Sequence, residues 1–239
     1  MSEGATETPL ATGRVVLVAL FVTALVTAQL TAAKILAFDI PVSLPVTGST
    51  LVMPGAALAY ALTYFASDCY SELYGRRAAT VVVNTGFAMN LVLLALVWST
   101  ILAPAAASSI DPGTFAAVLG SSTSIVAGSL CAYLVSQNWD VFVFHALRRR
   151  TDGAYLWLRN IGSTASSQAI DTVIFVGVGF WLAPTLLGGR PLPAAVLASL
   201  MVGQYVLKLL IALLDTPFVY AAVALLGERG SGGRVAPTE

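Results

Sequence analysis

In the stretch Arg159 to Phe175, RNIGSTASSQAIDTVIF, the residues Asn160, Thr164, Gln168 and Asp171 recur at spacings of four, four and three. On an α-helix these spacings place all four in one stripe on one face. Ser163 and Ser167 lie beside it. The apolar run Val173 to Trp181, with Leu182 and Leu186, carries the same helix onward without a charge, so the stripe belongs to a membrane span with a wet face. An ionisable residue at membrane depth costs roughly 2.5 to 3.5 kcal/mol on insertion scales, and such residues face a bundle interior, a cavity or a pathway. The stripe therefore predicts a polar cavity inside a helical bundle.

Two further stretches repeat this chemistry. Tyr60, Tyr64, Asp68 and Glu72 follow one another at intervals of four, and Tyr133, Gln137, Asp140 and Phe144 at four, three and four. Each puts acids, an amide or second acid, and aromatics on one helical face. Glu72 is also placed to pair with Arg76 at i,i+4 near an interface. Asp68 lies eight residues before Arg76, about 12 Å in from that edge at 1.5 Å per residue. Gln204 and Lys208 are one turn apart, with Asp215 seven residues beyond Lys208. That lysine and aspartate either neutralise each other or face a ligand or coupling site. Pro217 removes the hydrogen bond to the Leu213 carbonyl, so a kink or local opening is expected beside Asp215. Lys34, near the end of the first apolar run, either snorkels to the outer interface or lines a cavity mouth. His145, next to Arg148, reads as an interfacial residue.

The elements that must carry these residues are apolar. The chain of 239 residues is 57% hydrophobic and 10% charged, with a mean hydropathy of +0.84. A soluble domain has about 45 to 50% apolar and about 25% charged residues, so this is an integral membrane protein. Its formal net charge of zero gives no footprint for nucleic acid. Cys69 and Cys131 fall in apolar stretches, and a single histidine leaves no His-rich metal site. No cofactor is expected, and no glycine-rich phosphate loop of the Walker type is present.

Six apolar segments are long enough to cross a hydrocarbon core that needs about 20 helical residues. They run from about Arg14 to Phe38, Pro54 to Tyr74, Ala78 to Leu102, Phe115 to Leu147, Leu158 to Leu187 and Ala194 to Leu226. Residues 1–13 and 227–239 read as disordered cytoplasmic tails flanking one transmembrane domain over 14–226. The loop FDIPVSLPVTGSTLVMPG after the first segment mixes apolar residues with Pro and Gly and is expected to fold over the outer face as a cap. With six spans, one side holds Arg14, Arg76, Arg77, Arg148, Arg149, Arg150, Arg159, Arg229 and Arg234, and the other only Arg190. The positive-inside rule then makes both termini cytoplasmic and the chain a multi-pass protein of the cytoplasmic (inner) membrane.

Four ordered stretches resemble the queuosine precursor transporter family, also known as a vitamin uptake transporter family. Ser67-Asp68-Cys69-Tyr70-Ser71-Glu72-Leu73-Tyr74-Gly75 is similar to the family's acid, two residues, Thr-Glu, aliphatic, Tyr-Gly signature, with Ser71 in place of the usual Thr. The others are Gln137 to Phe144, Leu158 to Thr172, and Lys208 with Thr216, Pro217 and Tyr220. Gln29 stands near where the first helix often carries Ser-Asn. The resemblance implies an all-α, six-transmembrane-helix bundle like the substrate-binding subunits of vitamin importers, carrying 7-deazaguanine precursors of queuosine or archaeosine in the cyano or aminomethyl form. A guanine edge donates from N1 and the 2-amino group and accepts at O6, so carboxylates, amides or a lysine, and aromatic faces suit it. Asp140 or Asp171 is expected to read the donor edge, with Gln137, Gln168 or Asn160 at O6 and the ring substituent. Tyr64 and Tyr133 stack, Thr164, Asp68 and Lys208 complete the site, and Glu72, Asp215, Pro217 and Lys34 serve coupling or gating. The partners are this small molecule and the lipid bilayer, with a second copy of the chain or a separate energising module as the protein partners it admits. The runner-up is a membrane subunit binding another vitamin-like heterocycle. An intramembrane aspartyl protease would use Asp171 and Asp215, but the paired Tyr-Asp and Gly-x-Gly-Asp signatures are absent.

Overall fold

A computed structural model describes residues 12–151 and 156–231, without the side chains of 156–160, 215–216, 223–224 and 226–231. Helix α1 (Thr12–Thr31) leads into a hairpin of β1 (Ile35–Leu44) and β2 (Gly48–Pro54). Then come α2 (Ala57–Tyr74), α3 (Arg76–Leu102), the short α4 (Pro112–Gly120), and α5 (Ser122–Arg150). Helix α6 (Leu156–Gly177) passes through a π-helical turn, Val178–Leu182, into α7 (Ala183–Leu186), and α8 (Ala194–Ser231) closes the chain. Most residues are helical, as expected for a chain whose backbone polar groups must be satisfied away from water.

Five helical segments are long and apolar enough to cross a membrane: Thr12–Thr31, Arg76–Leu102, Pro112–Arg150, Ile161–Leu186 and Ala194–Ala222. Their outward faces carry exposed residues such as Leu91, Leu96, Leu134, Phe142 and Leu213, a surface that hydrocarbon covers and water would not. The chain is a multi-pass integral membrane protein. The expected segment Pro54 to Tyr74 is not among the five. Its helix, α2, carries Thr63, Tyr64, Ser67, Asp68, Ser71 and Glu72, and it packs against α1, α3 and α8.

The first helix stops at Thr31 rather than Phe38, so Lys34 lies outside any helix, exposed, with its carbonyl accepting from the Gly55 amide at 2.6 Å. Pro41 and Pro45 exclude helix from the next stretch, and the chain pairs antiparallel from Ile35 with Pro54 to Asp39 with Thr50. The stretch expected to fold back as a cap forms this hairpin. Its turn has Val46 at φ 72° and Gly48 at φ 63°, and the Thr47 amide bonds the Pro45 carbonyl at 2.8 Å. β2 is wedged into the bundle, with Leu51 and Met53 buried, and Ala56 is buried just beyond it. A methyl group built on Gly203 of α8 would lie 1.8 Å from the Val52 carbonyl oxygen. Only glycine permits that approach.

At the same end Ala28, Ile125, Phe175, Phe180 and Leu200 form the main apolar core. Gly128 of α5 meets Gly179 of the π turn so closely that a Cβ would sit 2.8 Å from the Gly179 nitrogen, so the two backbones touch. At the opposite end Leu17, Cys69, Tyr70 and Ala79 pack with Val219 and Ala222. Arg14 stacks over Tyr74 at 4.7 Å, and Gly75 takes φ 88° to turn α2 into α3. The starts of α1 and α3 and the far parts of α2 and α8 thus share one arginine-rich end. α8 runs through Pro217 as one helix to Ser231. The remainder of the expected tails, 1–11 and 232–239, lies outside the described residues.

Candidate functional site

Helices α2, α6 and α8 enclose a cavity of about 450 Å³ lined by Tyr64, Asp68, Thr164, Gln168 and Lys208 together with Ile161, Ala165, Leu209, Ile211 and Ala212. The volume lies in the range of small-molecule sites. Three helices contribute because each presents one polar stripe at a spacing of three or four residues, while its other faces are apolar. α6 supplies Thr164 and Gln168, α2 supplies Tyr64 and Asp68, and α8 supplies Lys208.

At the inner end of this cavity the Lys208 Nζ donates to Asp171 Oδ2 in an ion pair whose side chains are 5% and 16% accessible. Ser136 of α5 donates to the other carboxylate oxygen, Asp171 Oδ1, at 3.3 Å. Lys208 is therefore paired across the bundle with Asp171. The side chains of Asp215 and Asn160 lie outside the described residues. Both Tyr60 and Tyr64 stand in the field of the Asp171 carboxylate, and Tyr64 lies against Gln168. The two tyrosine rings meet edge to face at 5.6 Å.

Two buried amide oxygens flank the ion pair without a hydrogen-bond partner among the described residues: Gln168 Oε1, and Gln204 Oε1 one turn before Lys208. A buried acceptor left unpaired costs about 1 to 3 kcal/mol. Gln204 and Lys208, with Tyr60, Phe175 and Pro54, line a second void of about 20 Å³ directly under the hairpin, room for a single water. Lys208 thus forms part of the wall between the two spaces.

Other expected site residues stand elsewhere. Asp140 accepts from Ser167 at 3.3 Å across the α5–α6 contact. Tyr133 stacks on Phe87 with ring centroids 4.1 Å apart and donates to Asn84 of α3, away from the cavity. Gln137 and Glu72 are exposed and line no part of it. Ser136, which no spacing singled out, joins the ion pair; as a small hydroxyl one turn before Asp140 it carried no periodic signal of its own. A separate cluster joins Gln29 to Ser129 at 3.4 Å. A larger cavity of about 680 Å³ at the hairpin end is lined by small and apolar residues with Arg190 as its one charged group, so size alone does not mark the site. Among the described residues no group of three or more His, Cys, Asp or Glu could hold a metal ion.

A family model described as "Putative vitamin uptake transporter" matches residues 54–222, a stretch that runs from the end of β2 to α8 and includes every residue lining the cavity. The chain belongs to that family. It is 35% identical over 168 residues, 70% of each chain, to a protein of Bacillus subtilis (strain 168) named "Probable queuosine precursor transporter". No solved structure matches it. Members of this family are transporters rather than enzymes, and the chain is accordingly a membrane transporter for a small molecule.

Proposed function

We propose that the protein imports 7-deazaguanine precursors of queuosine or archaeosine, in the cyano or aminomethyl form, across the cytoplasmic membrane. In this reading all six long helices span the bilayer, α2 shielded by its neighbours, with both termini in the cytoplasm. The observation that carries it is the meeting of Lys208, itself ion-paired with Asp171, with Gln168, Tyr64 and Thr164 on one cavity of about 450 Å³. A carboxylate has about four lone-pair positions and an ammonium three donors. Asp171 uses one position for Lys208 and one for Ser136, which leaves it able to accept from N1 and the 2-amino group side by side. Lys208 keeps donors for O6. The unpaired Gln168 oxygen takes a further N–H, and the Tyr64 ring supplies a stacking face. Recognition of this kind rejects analogues lacking the donors, because the site's own polar groups would then stay buried and unpaired. The name of the Bacillus subtilis relative supports the same substrate class.

The test is uptake of labelled precursor by cells that cannot make their own. Asp171→Asn and Gln168→Leu should each abolish accumulation while the protein still reaches the membrane; undiminished uptake in both sinks the assignment. The family's vitamin-uptake description keeps another flat heterocycle as the second reading. A thermal-shift titration of the purified chain against purines, pteridines and vitamins separates the two.

A further inference from the structure

The cavity of about 680 Å³ at the hairpin end shares no lining residue with the site between α2, α6 and α8. Its walls come from the end of α3, from α4 and the start of α5, and from the π turn, α7 and the loop before α8. Gly179 lines it in the π turn and Leu187 where α7 ends, eight residues apart, so it reaches about 12 Å down from that end of the bundle at 1.5 Å per residue. Arg190, exposed in the loop beyond Leu187, is the only charged residue of the lining. It forms no ion pair among the described residues. Trp98 lies one turn before the end of α3 and donates from Nε1 to Thr123 Oγ1 at 2.9 Å, a place suited to an indole at the edge of a bilayer. Leu102, Val118, Leu186 and Leu187 are exposed around the same end, and α4 buries none of its residues.

The chemistry of this lining is that of an amphiphile site. The Ser121 hydroxyl already donates to the Val118 carbonyl at 2.6 Å and the Thr123 hydroxyl is taken up by Trp98, which leaves Ser124 as the one side-chain hydroxyl to offer a polar ligand. Ala117, Ile125, Gly179 and Phe180 are apolar. A heterocycle with several donors and acceptors would give up its bonds to water here without replacement. A hydrocarbon chain would give up nothing. We propose that this cavity binds an anionic phospholipid of the leaflet on the hairpin side: Arg190 donates to its phosphate, and one acyl chain lies in the groove between α4, α5 and the π turn. A guanidinium presents its donors in the fork that a phosphate accepts two at a time. The groove is open where α4 ends, since a Cβ built on Gly120 would meet nothing closer than Ile101 Cδ1 at 3.8 Å.

Quenching of Trp98 by lipids with brominated acyl chains tests this, in the full chain carrying Trp139→Phe, Trp157→Phe and Trp181→Phe so that Trp98 alone reports. Any surrounding lipid touches the exposed Trp98 ring, so the readout is the preference between head groups. Phosphatidylglycerol should quench with a Kd about fivefold lower than phosphatidylcholine of the same chains, equivalent to about 1 kcal/mol, the scale of one arginine against an anionic lipid surface. Arg190→Gln should bring the two to equality, and Arg190→Lys should keep most of the preference. Gly120→Phe, which fills the groove and leaves the charge in place, should remove it as well. Equal quenching by both lipids, or a preference that survives Arg190→Gln, overturns the inference. A preference that survives Gly120→Phe puts the lipid outside the cavity and overturns it equally. If the chain with the tryptophans replaced does not fold, native mass spectrometry of the otherwise unaltered chain decides: it should retain one more phosphatidylglycerol than Arg190→Gln, because lipids held at the arginine-rich end are common to both, and equal numbers refute the site.

Discussion

Removing one partner of the Lys208–Asp171 pair should destabilise the protein more than removing both. With side chains 5% and 16% accessible, either survivor is a charge that water reaches poorly, and breaking a buried pair from one side costs about 3 to 5 kcal/mol. Asp171 retains Ser136 when Lys208 is gone and is the more accessible of the two side chains, so Lys208→Met belongs at the lower end, about 3 kcal/mol. On the scale of about 2 to 4 °C per kcal/mol for domains of 150 to 250 residues, that is a fall of about 6 to 12 °C in Tm. Asp171→Asn leaves the more deeply buried ammonium without its counter-charge and should fall at least as far. The double variant removes both charges, and its Tm should lie above that of either single variant. Thermal unfolding of the purified chain, followed by tryptophan fluorescence, gives all four values in one detergent. Single variants within about 1 °C of the wild type, or a double variant showing the sum of both losses, would refute the buried pair as described.

Three further outcomes rest on named contacts. Gly203→Ala places a methyl group 1.8 Å from the Val52 carbonyl oxygen, so β2 must shift; a loss of about 1 to 3 kcal/mol is expected in the same unfolding assay, and an unchanged Tm would mean that the hairpin is not wedged against α8. Gln204→Met replaces an unpaired buried amide by an apolar side chain of similar size and should leave Tm unchanged or raise it, whereas a clear drop would show that a water in the void under the hairpin satisfies the amide. Asp111 caps α4 by accepting from the Thr114 amide at 2.7 Å, and this backbone hydrogen bond holds its carboxyl below the ordinary value of 3.8. A depressed carboxyl stabilises above its unfolded value and stops doing so as pH falls through its folded one. Hydrogen exchange should therefore find the Thr114 amide protected equally at pH 7 and pH 5, and unprotected in Asp111→Ala at both; loss of protection between pH 7 and pH 5 in the wild type would contradict the cap.

What the sequence made legible was which residues share a face. The spacing of Thr164, Gln168 and Asp171 grouped them, and in the fold Thr164 and Gln168 line the cavity while Asp171 holds Lys208 at its inner end. The same periodicity grouped Tyr133, Gln137 and Asp140, yet Gln137 is exposed and Tyr133 turns to α3. Periodicity fixes a face and not the direction in which the bundle turns it. Pairing across helices was equally hidden: Lys208 is 37 residues from Asp171, and sequence proximity pointed to Asp215 instead. The hairpin was masked because Ile35 to Leu44 is as apolar as the helix before it. Only Pro41, Pro45 and Gly48 marked the change, and they mark a break in the helix without specifying strand pairing.

The account rests on a ligand occupying the space between α2, α6 and α8, and site-directed labelling examines that directly. Cys69 is buried and Cys131 exposed, so Thr164→Cys in a Cys131→Ser background presents one reactive thiol to the cavity. Its rate of modification by a water-soluble maleimide, measured with and without saturating 7-aminomethyl-7-deazaguanine, should fall at least about tenfold on ligand addition. A rate unchanged by ligand, in a chain shown by titration to bind it, would place the ligand elsewhere and contradict the account.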